Sequence, residues 1–295
     1  MKSKIVLSVL FLFVIVLSIL VSAIGLFSTS GGTPYDFVNQ YGHTVTIYGD
    51  GLYAHDSLMK APIFRGTDLI VLFVIVPATI LAFALLLVRR SLRSSLFAMV
   101  MLAVLVYYAA GMAFGAAFNS LHLAYIALFS SSLFGLFWIG SQINPELLRK
   151  SISGQRLPYR GFTIFLALSG FALIVAWLPD ILSAVLAGQP LALIENYTTE
   201  ITYVLDMGII GPLAIVGIIL LKRRSGAGYM VLASLLTLCA AVGLMLPVQS
   251  IFQANAGIDL PLPVLVTKVA TFCLLAIFAI YFDIRLFRAI KTDKA

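Results

Sequence analysis

The stretch YTTEITYVLDMGIIGPLAIVGIILLKRR, residues 197 to 224, decides how this chain is to be read. Between Ile201 and Leu221 its one charged residue is Asp206, and it ends on Lys222, Arg223 and Arg224. About 20 apolar residues of helix cross the roughly 30 Å hydrocarbon core of a bilayer, and basic clusters mark the ends that stay on the cytoplasmic side. The stretch is therefore a membrane span whose outer turns carry two acids, Glu200 and Asp206.

The rest of the chain follows the same pattern. Hydrophobic residues fill 61% and charged residues 11% of 295 positions, far outside the balance of a soluble domain. Apolar runs fall near 4–27, 69–88, 95–117, 121–142, 162–185, 200–221, 229–252 and 262–284. They are numbered here as spans one to eight. The expected fold is an all-α integral membrane protein, a single bundle over residues 1–295. The first run has lysines before its apolar core and a small-residue VSA near its end, as a cleaved signal peptide would, but its length favours a retained anchor.

Orientation follows from lysine and arginine. With the amino terminus inside, the inner segments collect Lys2, Lys4, Arg89, Arg90, Arg93, Arg149, Lys150, Arg156, Arg160, Lys222, Arg223, Arg224, Arg285, Arg288, Lys291 and Lys294. Lys60 and Arg65 alone fall in outer loops, and the acids other than Glu146, Asp283 and Asp293 lie outside or in the outer half of a span. Both termini are thus placed in the cytoplasm, in an inner (plasma) membrane. This arrangement accounts for the net charge of +7 without nucleic acid as a partner. Cys239 and Cys273 both fall within spans, so no disulfide framework is expected.

Two segments interrupt the helices. The outer loop 28–68 contains HTVTIYGDGLYAHD, which alternates about Gly-Asp-Gly and reads as a β-hairpin capping the bundle between spans one and two. The connector 143–161 is basic and divides the chain into spans one to four and five to eight. Spans two and six each open on Thr plus an acid, carry a proline (Pro77, Pro212) and end in a basic pair. This invites a parallel internal repeat, although the prolines are offset by about three residues.

On a helical projection, Thr199, Thr202, Tyr203 and Asp206 share one arc with Glu200 at its edge. A helix in lipid turns such an arc inward. Asp206 lies on the order of 9 Å inside the outer end of its span, with Lys268 at matching depth in span eight and Asp180 near the outer end of span five. A bare charge at that depth costs roughly 2.5–3.5 kcal/mol, so Asp206 and Lys268 are expected to pair. Two readings of the pair stand side by side: a structural lock that fixes helix register, and a hydrophilic pocket lined by Asp180, Glu200, Asp206 and Lys268.

His43, His55 and His122 all lie on the outer side and are the weak candidates for a metal site, but no metal-binding spacing is present. No cofactor motif occurs, and nothing in the sequence points to a soluble enzyme class. Gly111 and Gly115 form a small-xxx-small element suited to close packing within the bundle.

Residues 197–224 resemble a segment of multi-span membrane proteins of bacteria and archaea, with Thr199, Glu200, Asp206 and Pro212 as the most specific positions. The resemblance implies a polytopic membrane family and brings no substrate with it. Three functions are open: a small secondary transporter or permease that binds a small molecule or ion in its outer half; a sensor or accessory subunit whose 28–68 cap meets a protein partner; and, least favoured, a membrane enzyme at the outer histidines.

Overall fold

The computed structural model describes residues 2–291, apart from the side chains of residues 2–4, 264 and 268. Among these, eight helices are long and apolar enough to cross a membrane: Ile5–Phe27, Ala61–Arg89, Leu92–Gly115, His122–Gln142, Tyr159–Ala187, Ile201–Lys222, Gly226–Asn255 and Leu265–Ala289. The architecture is that of a multi-pass membrane protein. Large apolar side chains such as Val9, Leu12, Phe134, Phe137, Phe171 and Ile277 stand exposed on the outside of the bundle, where a bilayer would cover them.

Span three is the axis of the bundle. Of its most apolar window 72% is buried, against 44% or less in every other span, and it packs on spans two, four and seven and on the start of span six. Span one packs on spans two and four, and Phe11 stacks on Phe83 with ring centroids 5.0 Å apart. The connector, expected as a basic linker, contains a short amphipathic helix, Pro145–Ile152. The Asn144 side chain caps it by accepting from the backbone N–H groups of Glu146 and Leu147, and Leu148 and Ile152 are buried. Arg285 donates to the Arg156 carbonyl of the connector, and Arg93 to that of Ile290.

The cap differs from its expected form. Its strands are β1 (Tyr35–Val38) and β2 (Thr44–Ile47), antiparallel, with Tyr35 opposite Ile47 and Val38 opposite Thr44. The Asn39 side chain sets the turn by accepting from the N–H groups of Tyr41 and His43, and Gly42 supplies the positive φ of 78°. The expected pairing about Gly-Asp-Gly is reduced to a single bridge, Ile47 to Ser57, with backbone N–H groups of Tyr48, Gly49 and Leu58 donating to the carbonyls of Asp56, Ala54 and Thr46, because its loop is longer and holds a 3-10 turn, Gly51–Tyr53. Asp50 is drawn away from that loop to accept from the N–H groups of Ser30 and Gly31.

Spans two and six share a local device. Each has five residues of π-helix, Val71–Ile75 and Asp206–Ile210, immediately before the dipeptide that ends in Pro77 or Pro212. A proline has no N–H for the carbonyl four residues back and its ring crowds that group, so a widened turn ahead of it relieves the conflict. The prolines thus align between the two spans while the acids do not, since Asp68 precedes its π turn and Asp206 begins its own.

Candidate functional site

A cavity of about 360 Å³ lies within the bundle, walled by parts of spans two, three, five, six, seven and eight. Its walls are mainly apolar, with Phe165, Leu166, Leu235, Leu238 and Met245 among them, and its polar groups include Lys60, Tyr107, Trp177, Glu200, Tyr203 and Asp206. That size and composition match the usual small-molecule pocket, apolar with a few placed polar groups.

Asp206 is 6% exposed. Its Oδ1 accepts from the Tyr107 hydroxyl at 2.9 Å and its Oδ2 from the Trp177 indole N–H at 2.9 Å. Trp177 in turn stacks on Tyr203 with ring centroids 4.7 Å apart. Gln249 donates to the Thr67 hydroxyl at 2.7 Å across the wall between spans seven and two. Gly66 permits that approach, since a Cβ there would lie 2.7 Å from the Gln249 Cα.

At the cap end, Lys60 forms a salt bridge with Glu200, joining the starts of spans two and six. The Lys60 ammonium also lies 4.3 Å from the centre of the Tyr197 ring. Next to it, Ser57 donates to Glu195, and the Tyr197 hydroxyl donates to Asp56 Oδ1 at 2.8 Å, where the Ala117 N–H also donates at 2.7 Å. Asn39 and Gln40 of the cap donate to the carbonyls of Glu195 and Tyr197. The cap and the 195–200 segment therefore form one hydrogen-bonded layer over the cavity. Burial pushes the Asp56 carboxyl up to about 7 against the opposing pull of those two donors, and it raises Glu195 as well.

Of the residues singled out in the sequence, Glu200, Thr202, Tyr203 and Asp206 line the cavity together. Asp180 and Thr199 are exposed and outside its lining, although Asp180 accepts from the Tyr203 hydroxyl at 2.9 Å. The expected Asp206–Lys268 pair involves a side chain outside the described residues. His43 and His55 are exposed and His122 packs its ring on Phe118 and Tyr125; among the described residues no group of three His, Cys, Asp or Glu is placed to hold a metal. Cys239 and Cys273 are free thiols.

The sequence does not reveal a further buried acid, within span two. Asp68 is fully buried and accepts from the hydroxyls of Tyr53 and Tyr108, both at 2.6 Å. The sequence pattern sets Asp68 at the mouth of span two, but that helix begins at Ala61, which puts Asp68 two turns inside. Pro62 in the first turn, a common start signal, was the clue. Lys60 and Arg65, expected only as stray outer cations, both have fixed roles. Arg65 donates to the Tyr48 hydroxyl and to the Leu26 carbonyl, near the end of span one.

No family model, no curated protein and no solved structure matches this chain.

Proposed function

We propose that the protein is a small secondary transporter or permease of the inner (plasma) membrane, with both termini in the cytoplasm and the cap outside, whose substrate occupies the cavity around Asp206. The observation that carries this reading is the cavity itself: a chamber of about 360 Å³, mainly apolar, with a buried carboxylate on its wall. Bundles that serve only as anchors have no need of such a chamber, and an intramembrane acid is expensive unless it is used. The Lys60–Glu200 bridge lies at the cap side of the chamber and joins the starts of spans two and six, which its rupture would part. The π turns ahead of Pro77 and Pro212 supply points where those two helices can bend. The distribution of lysine and arginine supports the orientation. Lys268 would alternately pair with Asp206 and release it.

The test is uptake into reconstituted vesicles by wild type, Asp206→Asn and Lys268→Ala, each checked for normal insertion. Both variants are expected to lose at least tenfold in rate. Full activity in both would leave the acid as a structural element only.

A second reading, that of a sensor or accessory subunit, draws on the cap. All four residues of β1 are exposed on an edge strand, Tyr35 and Phe37 among them, as a protein partner would require. Under this reading, deleting 33–47 abolishes function and a co-purifying partner while Asp206→Asn does neither.

A further inference from the structure

We infer that the cavity takes a lipophilic monocation: a protonated amine or comparable organic cation with an aromatic or aliphatic body. The inference rests on the reading of the cavity as a substrate site and names the class of substrate.

Charge sets the first condition. Among the described residues lining the cavity, the charged side chains are Lys60 and Glu200, which neutralise one another, and Asp206, which gives this lining a net negative charge. Among the described residues the donors bonded to Asp206 are Tyr107 and Trp177, both neutral, and together they occupy two of roughly four acceptor positions on a carboxylate. A donor that also carries positive charge both fills the remaining capacity and offsets the cost of an isolated charge at this depth, whereas an anion would be repelled.

The rings supply the second condition. Tyr107, Trp177 and Tyr203 all line the cavity around Asp206, and Trp177 and Tyr203 are stacked. Ring faces attract cations, and more strongly where water is excluded. The third condition is the rest of the wall. Phe165, Leu173, Leu238 and Leu246 would bury a hydrocarbon body, which small inorganic ions lack. Gly111 adds room, since nothing lies within 4 Å of the place its Cβ would take.

The molecule contains its own reporter. Its two tryptophans are Trp138, on the exposed face of span four, and Trp177 at the site. In a Trp138→Phe background, the emission of Trp177 is titrated with phenylbutylammonium, phenylbutanol and phenylbutyrate, three probes with one body and charges of opposite sign or none. The ammonium is expected to give a saturable change at least tenfold tighter than either of the others, and Asp206→Asn should erase that preference. The three-probe comparison needs no substitution at the site, so it stands even if Asp206→Asn does not fold. Lys268→Ala should leave ammonium binding intact or tighten it. Equal binding of the alcohol, preference for the carboxylate, or a tenfold loss in Lys268→Ala would overturn the inference. Uptake of phenylbutyrate or phenylbutanol with no ammonium preference would leave transport standing and remove this substrate class. Ammonium binding without uptake would do the reverse.

Discussion

Asp68 and Asp206 meet the same difficulty, a carboxylate inside an apolar bundle, with neutral donors: two tyrosine hydroxyls for one, a tyrosine and an indole for the other. Removing a donor from a buried acceptor leaves it unsatisfied, at a cost of about 1–3 kcal/mol. Tyr53→Phe and Tyr108→Phe should each destabilise the protein by that amount, read as a lowered thermal midpoint in detergent, and the double variant by more than either. A crowded glycine guards the same contact. A Cβ on Gly25 would lie 2.0 Å from Asp68 Oδ2, so Gly25→Ala should destabilise by about 1–3 kcal/mol in the same assay. Asp206 was legible in the sequence because it stands within an unbroken apolar run. Asp68 was not, because the helix that buries it begins with a mixed stretch, APIFRGTD, whose polar residues read as loop until their partners on the cap and span three are known.

At the scale of elements, the two glycines of GMAFG act in different ways. Gly115 touches span six, where a Cβ would come within 2.4 Å of Ile201 Cγ2, while Gly111 faces open cavity. Gly115→Leu should therefore cost about 1–3 kcal/mol of stability by overpacking. Gly111→Leu should leave the melting temperature near that of wild type and, by filling the cavity, abolish the ammonium-dependent change in Trp177 emission. The spacing announced close packing for both, and the structure assigns it to one. Hairpin placement fails for a related reason: alternation and a Gly-Asp-Gly turn are present, but Asp50 is claimed by the Ser30 and Gly31 amides some twenty residues away in sequence, a competition no local pattern contains. Gly49 and Gly51 instead let the chain pass close to the Thr33 and Ser28 carbonyls, with would-be Cβ distances of 2.1 and 2.2 Å.

Across the whole molecule, the spans were readable from composition because lipid makes a single demand along each one, about 20 apolar residues with no unpaired backbone. The cap junction was not, since it depends on contacts between segments some 140 residues apart, such as Tyr197 with Asp56 and Lys60 with Glu200. That junction should respond to pH. The folded pKa of Asp56, near 7, lies above its ordinary value of 3.8, so folding favours the neutral acid; the contribution is complete below about pH 4 and is lost as pH rises through 7. Glu195 is shifted in the same direction, and Lys60 opposes the shift in both. Hydrogen exchange across residues 39–57, corrected for intrinsic rates, should show stronger protection at pH 5 than at pH 8, and Asp56→Asn should flatten the difference. Tyr107 and Tyr108 bind these parts together. They are consecutive residues of span three, yet one holds the acid of span six and the other the acid of span two, which in turn holds Tyr53 beneath the cap. Neighbouring side chains on a helix diverge by roughly 100° and turn with it as a unit. Span three is therefore an axle with two spokes: any rotation that changes the reach of Tyr107 to Asp206 swings Tyr108 against Asp68 through the same angle, so neither carboxylate can be repositioned by that helix alone without the other registering the movement.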